Sequence, residues 1–140
     1  MTVRLTGDQL GSTAVTSVTT TSNVTTTATT SGTATALLTL PNVFYEGGSY
    51  RVTLGCIFLT KGTTNLDVEL QVDGVFSTSI TGHLTANTAT PTFLTCRVTL
   101  SPGNHVVRAV GFVDAGTGTL NAGTGATGQN PPAELAIFAA

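Results

Sequence analysis

Three carboxylates at short spacing, Asp67, Glu69 and Asp73, are the first residues here that could do chemistry. Calcium binds oxygen ligands, and loops with closely spaced carboxylates supply them. With Gln71, however, these residues fall on the polar phase of an alternating run, so a regular strand would fan their side chains outwards. We therefore predict a solvated strand face, and a calcium site is the alternative.

A glycine-rich run and two histidines are the next candidates. Residues 123–128, GTGATG, match the G-x-G-x-x-G spacing of a dinucleotide-binding loop. In a dinucleotide-binding loop this motif follows a strand and lies at the start of a helix. Here Pro131 and Pro132 come almost directly after it, which disfavours a helix at this point. His83 and His105 lie far apart, and neither has a Cys, His or carboxylate at metal-ligand spacing. The sequence therefore predicts a flexible loop, surface histidines, no cofactor and no metal.

The two cysteines, Cys56 and Cys96, fall on the inward phases of two different predicted strands and could be neighbours in the core. A disulfide would need their Cα atoms within about 7 Å, and a chain without a signal peptide favours free thiols. Buried free thiols are the expectation, with a disulfide as the alternative. Neither cysteine has the local signature of a nucleophile, and no G-x-S-x-G motif marks a catalytic serine. We therefore expect no enzymatic activity.

Composition narrows the class of protein further. The 140 residues fit one domain, 1–140. Only 9% of them are charged, against about 25% in typical soluble domains, and the mean hydropathy is +0.30. Such a surface favours an assembly, so we expect a homo-oligomer, first of all a trimer; an extracellular β-domain solvated by hydroxyls is the alternative. Few cations and no long apolar run predict no binding to nucleic acid and no membrane span.

Alternation of apolar and polar residues predicts strands along most of the chain. Threonine is β-branched and favours strands even in the Thr-rich residues 13–39. Asp73-Gly74 is a strong signal for a two-residue hairpin turn. About eight strands and no amphipathic helix predict an all-β fold, an antiparallel β-sandwich and most simply a jelly roll. An immunoglobulin-like sandwich is second, weakened by the absence of tryptophan.

Candidate interface residues come first from the run 105–113. If Arg108 faces solvent, then Val107 faces the core, and Val110 and Phe112 lie on the outer face. An exposed Val–Phe pair beside a charge predicts a covered contact surface.

Two further segments are candidates for contacts. Residues 1–30 form either an N-terminal docking arm, which could add a strand to a partner's sheet, or the first strands of the sandwich. Residues 115–132 are rich in Gly and Thr and longer than ordinary connections, which predicts a functional or mobile loop. The apolar contacts expected from the arm are those of Val3, Leu5 and Leu10.

Three stretches together resemble small β-sandwich modules of tailed-bacteriophage virions. They are residues 45–54 (YEGGSYRVTL), 68–74 (VELQVDG) and 100–109 (LSPGNHVVRA). Similar strand and hairpin patterns recur in capsid decoration proteins, head fibres and tail-fibre tips, some of them similar to trimeric jelly rolls. The resemblance covers about residues 45–114 and implies a virion structural protein, with the major capsid protein or other virion proteins as partners.

The leading functional hypothesis is therefore a capsid decoration (cement) protein that stabilises a phage head. It would be made in the host cytoplasm, since no signal peptide is recognised, and would reside in the virion. The alternative is a tail-fibre tip or receptor-binding module that contacts the host surface. A secreted lectin is less favoured, because the sequence has no Trp and only Tyr45 and Tyr50 for stacking beside its phenylalanines.

Overall fold

Runs of threonine and valine become strands throughout the protein, as β-branched residues favour. The computed structural model describes residues 14–62, 65–81 and 89–140, and this part of the chain contains twelve strands and one turn of 3-10 helix, Ser31–Thr33. Three of the strands have only three residues each, which leaves nine longer ones against about eight predicted. The strands are β1 Thr16–Thr20, β2 Val24–Thr26, β3 Thr35–Thr39, β4 Val43–Tyr45, β5 Gly48–Lys61, β6 Leu66–Val72, β7 Val75–Thr81, β8 Ala89–Leu100, β9 Gly103–His105, β10 Val107–Val113, β11 Thr117–Asn121 and β12 Ala133–Ala139.

The first sheet is organised around β5, its longest strand. One edge of β5 pairs with β8 over most of the length of both strands. The other edge is divided between two strands: β12 pairs with residues 50–55, and β11 pairs with residues 57–61. β1 lies outside β12, and β2 lies outside β11. β5 is therefore covered on both edges, and every pairing in this sheet is antiparallel.

The second sheet has the order β3-β10-β6-β7, and β4 and β9 form a small separate hairpin. All of these pairings are antiparallel too. Side chains from both large sheets enter one hydrophobic core, so the sheets pack face to face. The predicted fold class, an all-β antiparallel sandwich of jelly-roll type, is confirmed. Within the described residues, no helix is long and apolar enough to cross a membrane.

The core follows the alternation seen in the sequence. Val52, Leu54 and Phe58 on β5 face Val68 and Leu70 on β6, and all five are essentially inaccessible to solvent. The positive φ angles predicted for the hairpin turn are also present, at 53° for Asp73 and 81° for Gly74. The inward phases of β5 and β6 are therefore confirmed.

The predicted polar face of residues 67–73 is solvated only in part, since Asp73 is exposed and Asp67 is half-buried. Glu69 and Gln71 are both buried, at 8% and 7% exposed. The Ser31 hydroxyl donates a 2.6 Å hydrogen bond to the Glu69 carboxylate, and Arg108 Nε donates a 2.9 Å bond to the Gln71 amide oxygen. The prediction failed at these two residues because the 3-10 turn crosses over Glu69 and bonds to it, while Arg108 of the neighbouring strand β10 bonds to Gln71.

The same crossing overturns the prediction for Val110. Val110 lies opposite Glu69 in the sheet, and Ser31 reaches Glu69 from the far side of β10. The turn therefore passes over Val110, which is 0% exposed, while its predicted partner Phe112 is half-buried. The two residues do not form an exposed pair.

The Thr-rich segment and the Gly-rich segment both supply strands. β1 and β2 pair with β12 and β11 of the same chain, so residues 16–26 belong to the sandwich and not to a free arm. β11 lies inside the predicted loop 115–132, which leaves residues 122–132 as the irregular part. Val3, Leu5, Leu10 and His83 lie outside the described residues.

Candidate binding face

Among the residues that the structure describes, Phe93 has the most exposed large apolar side chain, on the outer face of the first sheet. The strand registers place Phe93 on β8, Gly55 on β5 and Glu134 on β12 in one row across the sheet. The ring of Phe93 is 75% exposed and lies beside Gly55, where an added Cβ would come 3.5 Å from its Cδ2 atom. Because Gly55 has no side chain, the middle of the row is a depression between the Phe93 ring and the Glu134 carboxylate.

Two arginines lie side by side in a row further along the same face. Arg97 on β8 stands directly opposite Arg51 on β5, and Phe138 on β12 stands on the other side of Arg51. The guanidinium carbon of Arg51 is 4.9 Å from the centre of the Phe138 ring, a cation–π contact. Like charges directly across a strand pair are destabilising. Two of the five Lys and Arg residues in the chain are therefore cross-strand neighbours, and the guanidinium of Arg51 lies over Phe138, on the side away from Arg97.

Two clefts open on this face and meet at Phe93 and Glu134. The first has a volume of about 430 Å³ and the second about 510 Å³. We call the two together the outer groove. Its floor is β5 from Arg51 to Ile57, roughly 20 Å long at about 3.3 Å per residue. The first cleft is lined by Arg51, Thr53, Phe93, Thr95, Glu134 and Phe138, and the second adds Gly55, Ile57, Pro91, Pro131 and Pro132 among its residues.

Cys56 is among the lining residues of the second cleft, but neither cysteine offers a reactive thiol to this face. Burial raises the pKa of the Cys56 thiol to about 12 and also raises the pKa of Cys96. Both thiols are therefore protonated and poorly nucleophilic at neutral pH. Cys56 lies opposite Thr92, four residues along β8 from Cys96, a separation of roughly 13 Å in an extended strand. Both cysteines are free as expected, but only Cys56 is buried, Cys96 is half-buried, and the two are not neighbours.

Other candidate sites from the sequence do not assemble. Among the described residues, no group of three or more His, Cys, Asp and Glu could hold a metal ion, so the carboxylates of β6 do not form one. Residues 123–128 are followed by the strand β12 and not by a helix, which removes the context of a dinucleotide loop. Tyr45 and Tyr50 are buried and pack edge to face at 5.3 Å, so neither can stack on a ligand.

The sequence carried a signal for the outer groove that was missed. The inward phase predicted for residues 94–100 puts Phe93 outward in the same alternation, beside Thr95 and Arg97. Its partners Glu134 and Arg51 come from strands far apart in the chain. Only the strand order brings these residues together, and a single sequence does not reveal that order.

Three exposed apolar side chains lie at one end of the sandwich. Val75 and Phe76 follow the β6–β7 turn and are 68% and 54% exposed, and Phe44 on β4 is 57% exposed. β4 pairs with β9, whose His105 bonds to Asp73 of that turn, so the three side chains share this end. We call Phe44, Val75 and Phe76 the apolar end.

At the apolar end, His105 links β9 to the β6–β7 turn through a hydrogen bond to Asp73. Its Nδ1–H donates a 2.6 Å bond to the Asp73 carboxylate, and its Nε2–H donates a 2.9 Å bond to the Ser101 carbonyl. The same carboxylate accepts the Val106 backbone N–H at 2.9 Å. The bond to Asp73 and then that to Ser101 raise the pKa of His105, while the bonds from His105 and then Val106 lower the pKa of Asp73.

We expect the His105–Asp73 pair to stabilise the fold most at mildly acidic pH, and to stabilise it less at both lower and higher pH. The His105 contribution is complete below its ordinary pKa of 6.5 and is lost as the pH rises through the raised value. The Asp73 contribution is complete above 3.8 and is lost as the pH falls through the lowered value. Urea unfolding should therefore show a higher midpoint at about pH 5 than at about pH 8.

The variant Asp73→Asn is the matched control for this prediction. Asparagine tolerates the positive φ of the turn, and its carbonyl can still accept the Val106 N–H, but it carries no charge. The fall in midpoint above pH 6.5 should shrink in this variant. An unchanged pH dependence would show that the His105–Asp73 pair does not cause it.

Comparison with known proteins finds distant structural neighbours and no matching sequence family. No protein-family model and no curated protein matches the sequence. Among solved structures, the sugar-binding C-terminal domain of EclA aligns at 16% identity and a TM-score of 0.47, over 84% of this chain and 78% of that one. The CBM36-1 domain of a xylanase from the hindgut metagenome of Trinervitermes trinervoides aligns at 14% and 0.46, over 85% and 98%.

A viral capsid protein is also among the similar structures. T=1 particles derived from infectious bursal virus align at 15% identity and a TM-score of 0.48, over 87% of this chain and 35% of that one. All three scores are below 0.5, so these likenesses carry no argument about function.

Proposed function

We propose that this chain is a virion structural protein that decorates and stabilises a bacteriophage head. The observation that carries the proposal is the apolar end, where Phe44, Val75 and Phe76 are each more than half exposed. Exposed apolar side chains grouped at one site are typical of contact surfaces. The apolar end would dock on capsid subunits, and the role of the chain would be mechanical and not catalytic.

The composition supports the same proposal. A surface in which 9% of residues are charged resists aggregation poorly in a free monomer, and assembly would remove part of it from water. We propose a trimer as the assembled unit. Light scattering of the purified protein at micromolar concentration should give three times the monomer mass, and a stable monomer would count against the trimer.

The test of the main proposal is the copy number of the protein in purified particles. Quantitative mass spectrometry of particles from the cells that make it should find hundreds of copies per particle. Phe76→Ser and Phe44→Ser should reduce incorporation strongly, because each removes apolar contact area from the apolar end. Phe93→Ser, which changes a still more exposed phenylalanine on another face, is the matched control and should incorporate normally. Particles that lack the protein would refute the proposal.

A tail-fibre tip or receptor-binding module is the second candidate. The outer groove favours it, because an open groove with an aromatic ring and charged groups fits a ligand better than a flat packing contact. A handful of copies per particle would support this function in place of head decoration.

A further inference from the structure

We infer that β8 pairs, edge to edge and antiparallel, with β8 of a second copy of this chain about a two-fold axis at Thr95. The contact goes beyond the proposed place in a virion, because it concerns how neighbouring copies join and not what they dock on. A two-fold contact joins copies in pairs, so it would link one proposed trimer to the next. It uses no residue of the apolar end, and the two surfaces can therefore be tested separately.

β8 is the longest open strand edge in the part of the chain that the structure describes. Its twelve residues pair with β5 alone, in a ladder without a register shift, and residues 93–99 make no backbone hydrogen bond outside that ladder. The other edge strands are shorter: β1 and β3 have five residues each, β2 has three, and β7 has seven, with two register shifts in its pairing with β6. A long unpaired edge is a template for the addition of another strand.

The hydrophobic core is incompletely covered along this edge. Leu94 and Cys96 point inwards from β8 and are only half-buried, whereas their partners on β5, Leu54 and Val52, are 0% and 1% exposed. In a two-fold pair centred on Thr95, Leu94 of each copy lies opposite Cys96 of the other. The added strand would therefore remove from water apolar area that a single copy leaves exposed.

The outward side chains of β8 are complementary to one another about the same axis. Phe93 and Arg97 lie two residues before and after Thr95, so the two-fold pair places Phe93 of each copy opposite Arg97 of the other. Side chains directly opposite in an antiparallel pair have Cβ atoms about 4.5–5.5 Å apart, which is close enough for a cation–π contact. Phe93 is 75% exposed, and the exposed Arg97 makes no ion pair within the described residues.

Other two-fold registers lack this match. An axis at Arg97 would set the two guanidinium groups against each other, and like charges directly opposite are destabilising. An axis one residue before or after Thr95 would place Arg97 opposite Pro91 or Thr95. β8 contains no acidic residue, so Phe93 is the best partner that the strand offers to its own cation. This self-complementarity favours a second copy over an unrelated strand as the occupant of the edge.

The contact should be weak between free molecules. A single pair of strands buries less area than a standard stable interface, so it should form only well above the micromolar concentrations at which the trimer is tested. Copies held side by side in an assembly would meet at a higher effective concentration, which favours the pairing there.

The test is disulfide trapping with the purified variant Thr95→Cys. Residues that face each other across the axis have Cα atoms about 4.5–5.5 Å apart, within the range of a disulfide. In concentrated protein treated with oxidised glutathione, Thr95→Cys should form a covalent dimer. Ser17→Cys is the matched control, because the exposed Ser17 lies in the same row of the sheet at its opposite edge and should show only the slow linkage of random collisions. The wild type controls for linkage through Cys56 and Cys96.

Substitutions beside the axis test the register. In the Thr95→Cys background, Phe93→Ala and Arg97→Gln should each slow dimer formation about fivefold or more, because each removes two exposed cation–π contacts. The double variant should be little slower than either single variant, since the two residues are partners across the axis. Thermal unfolding shows whether each variant is folded.

Linkage of Thr95→Cys no faster than that of Ser17→Cys would overturn the inference. Additive effects of Phe93→Ala and Arg97→Gln would do the same, because the two side chains would then not be partners. It would also be overturned if Thr95→Cys in purified particles became linked to a different protein instead of to itself. Trapping in the purified protein needs no particle, so its failure would leave the proposed function untouched.

Discussion

Replacing Leu70 by alanine is expected to lower the free energy of unfolding by about 2–5 kcal/mol. Leu70 is 0% exposed on β6, directly opposite the buried Ala109 of β10, and it belongs to the core between the two sheets. Truncation removes apolar contacts and leaves a cavity that the flanking strands cannot fully close. The midpoint of urea unfolding, monitored by circular dichroism, measures the effect.

Val75→Ala is the matched control, because it also shortens an aliphatic side chain in the second sheet. Val75 is 68% exposed, and its truncation should change stability by about 0.5 kcal/mol or less. Equal shifts in the two variants would mean that the inward phase of β6 is wrong.

The second large effect is expected at Gly116, in the turn between β10 and β11. Its φ of 66° lies in the left-handed region, and an added Cβ would press on the carbonyl oxygen of Lys61 and lie 2.7 Å from the backbone carbon of Gly62. Those atoms belong to backbone and cannot rotate away. Gly116→Ala should therefore cost stability at or above the upper end of the roughly 1–3 kcal/mol typical of overpacking. Urea unfolding measures the loss.

Gly128→Ala separates the steric clash from the backbone strain. Gly128 has a similar φ of 78°, but an added Cβ there would meet nothing within 4 Å. Its substitution should show only the cost of a left-handed alanine, about 1–2 kcal/mol. If Gly116→Ala is no worse than Gly128→Ala, the close approach of the turn to β5 does not constrain the fold.

The features that depend only on residues close together in the sequence, such as strand phase and turn type, were predicted correctly. The alternation of β5 and β6 gave the correct inward faces, because a side chain in a strand alternates with period two wherever the strand lies. The Asp73-Gly74 turn was equally clear, since few residue pairs accept two positive φ angles in succession. These features need no knowledge of which strands meet.

The errors all concern contacts between distant segments. Glu69 and Val110 look exposed from the alternation alone, and they are covered because Ser31 reaches them from a segment more than thirty residues away. The outer groove was not predicted from the sequence for the same reason. Phe93 and Glu134 come to lie in one row only when β12 pairs with the edge of β5. Period-two patterns say which side of a strand is apolar, but not what else lies on that side.

The position of β12 also bears on how the protein folds during synthesis. β1, near the start of the described chain, pairs only with β12 among the described strands, and these two are separated by more than a hundred residues. β12 is the last strand of the sandwich to leave the ribosome. Until it does, residues 50–55 of β5 lack their partner on one edge, and β1 has no partner strand. Until then, threonine-rich strand edges stay open to pairing with other nascent chains. Folding of this module is expected to be slow and to finish only after β12 has been synthesised, as for other folds dominated by pairings distant in sequence.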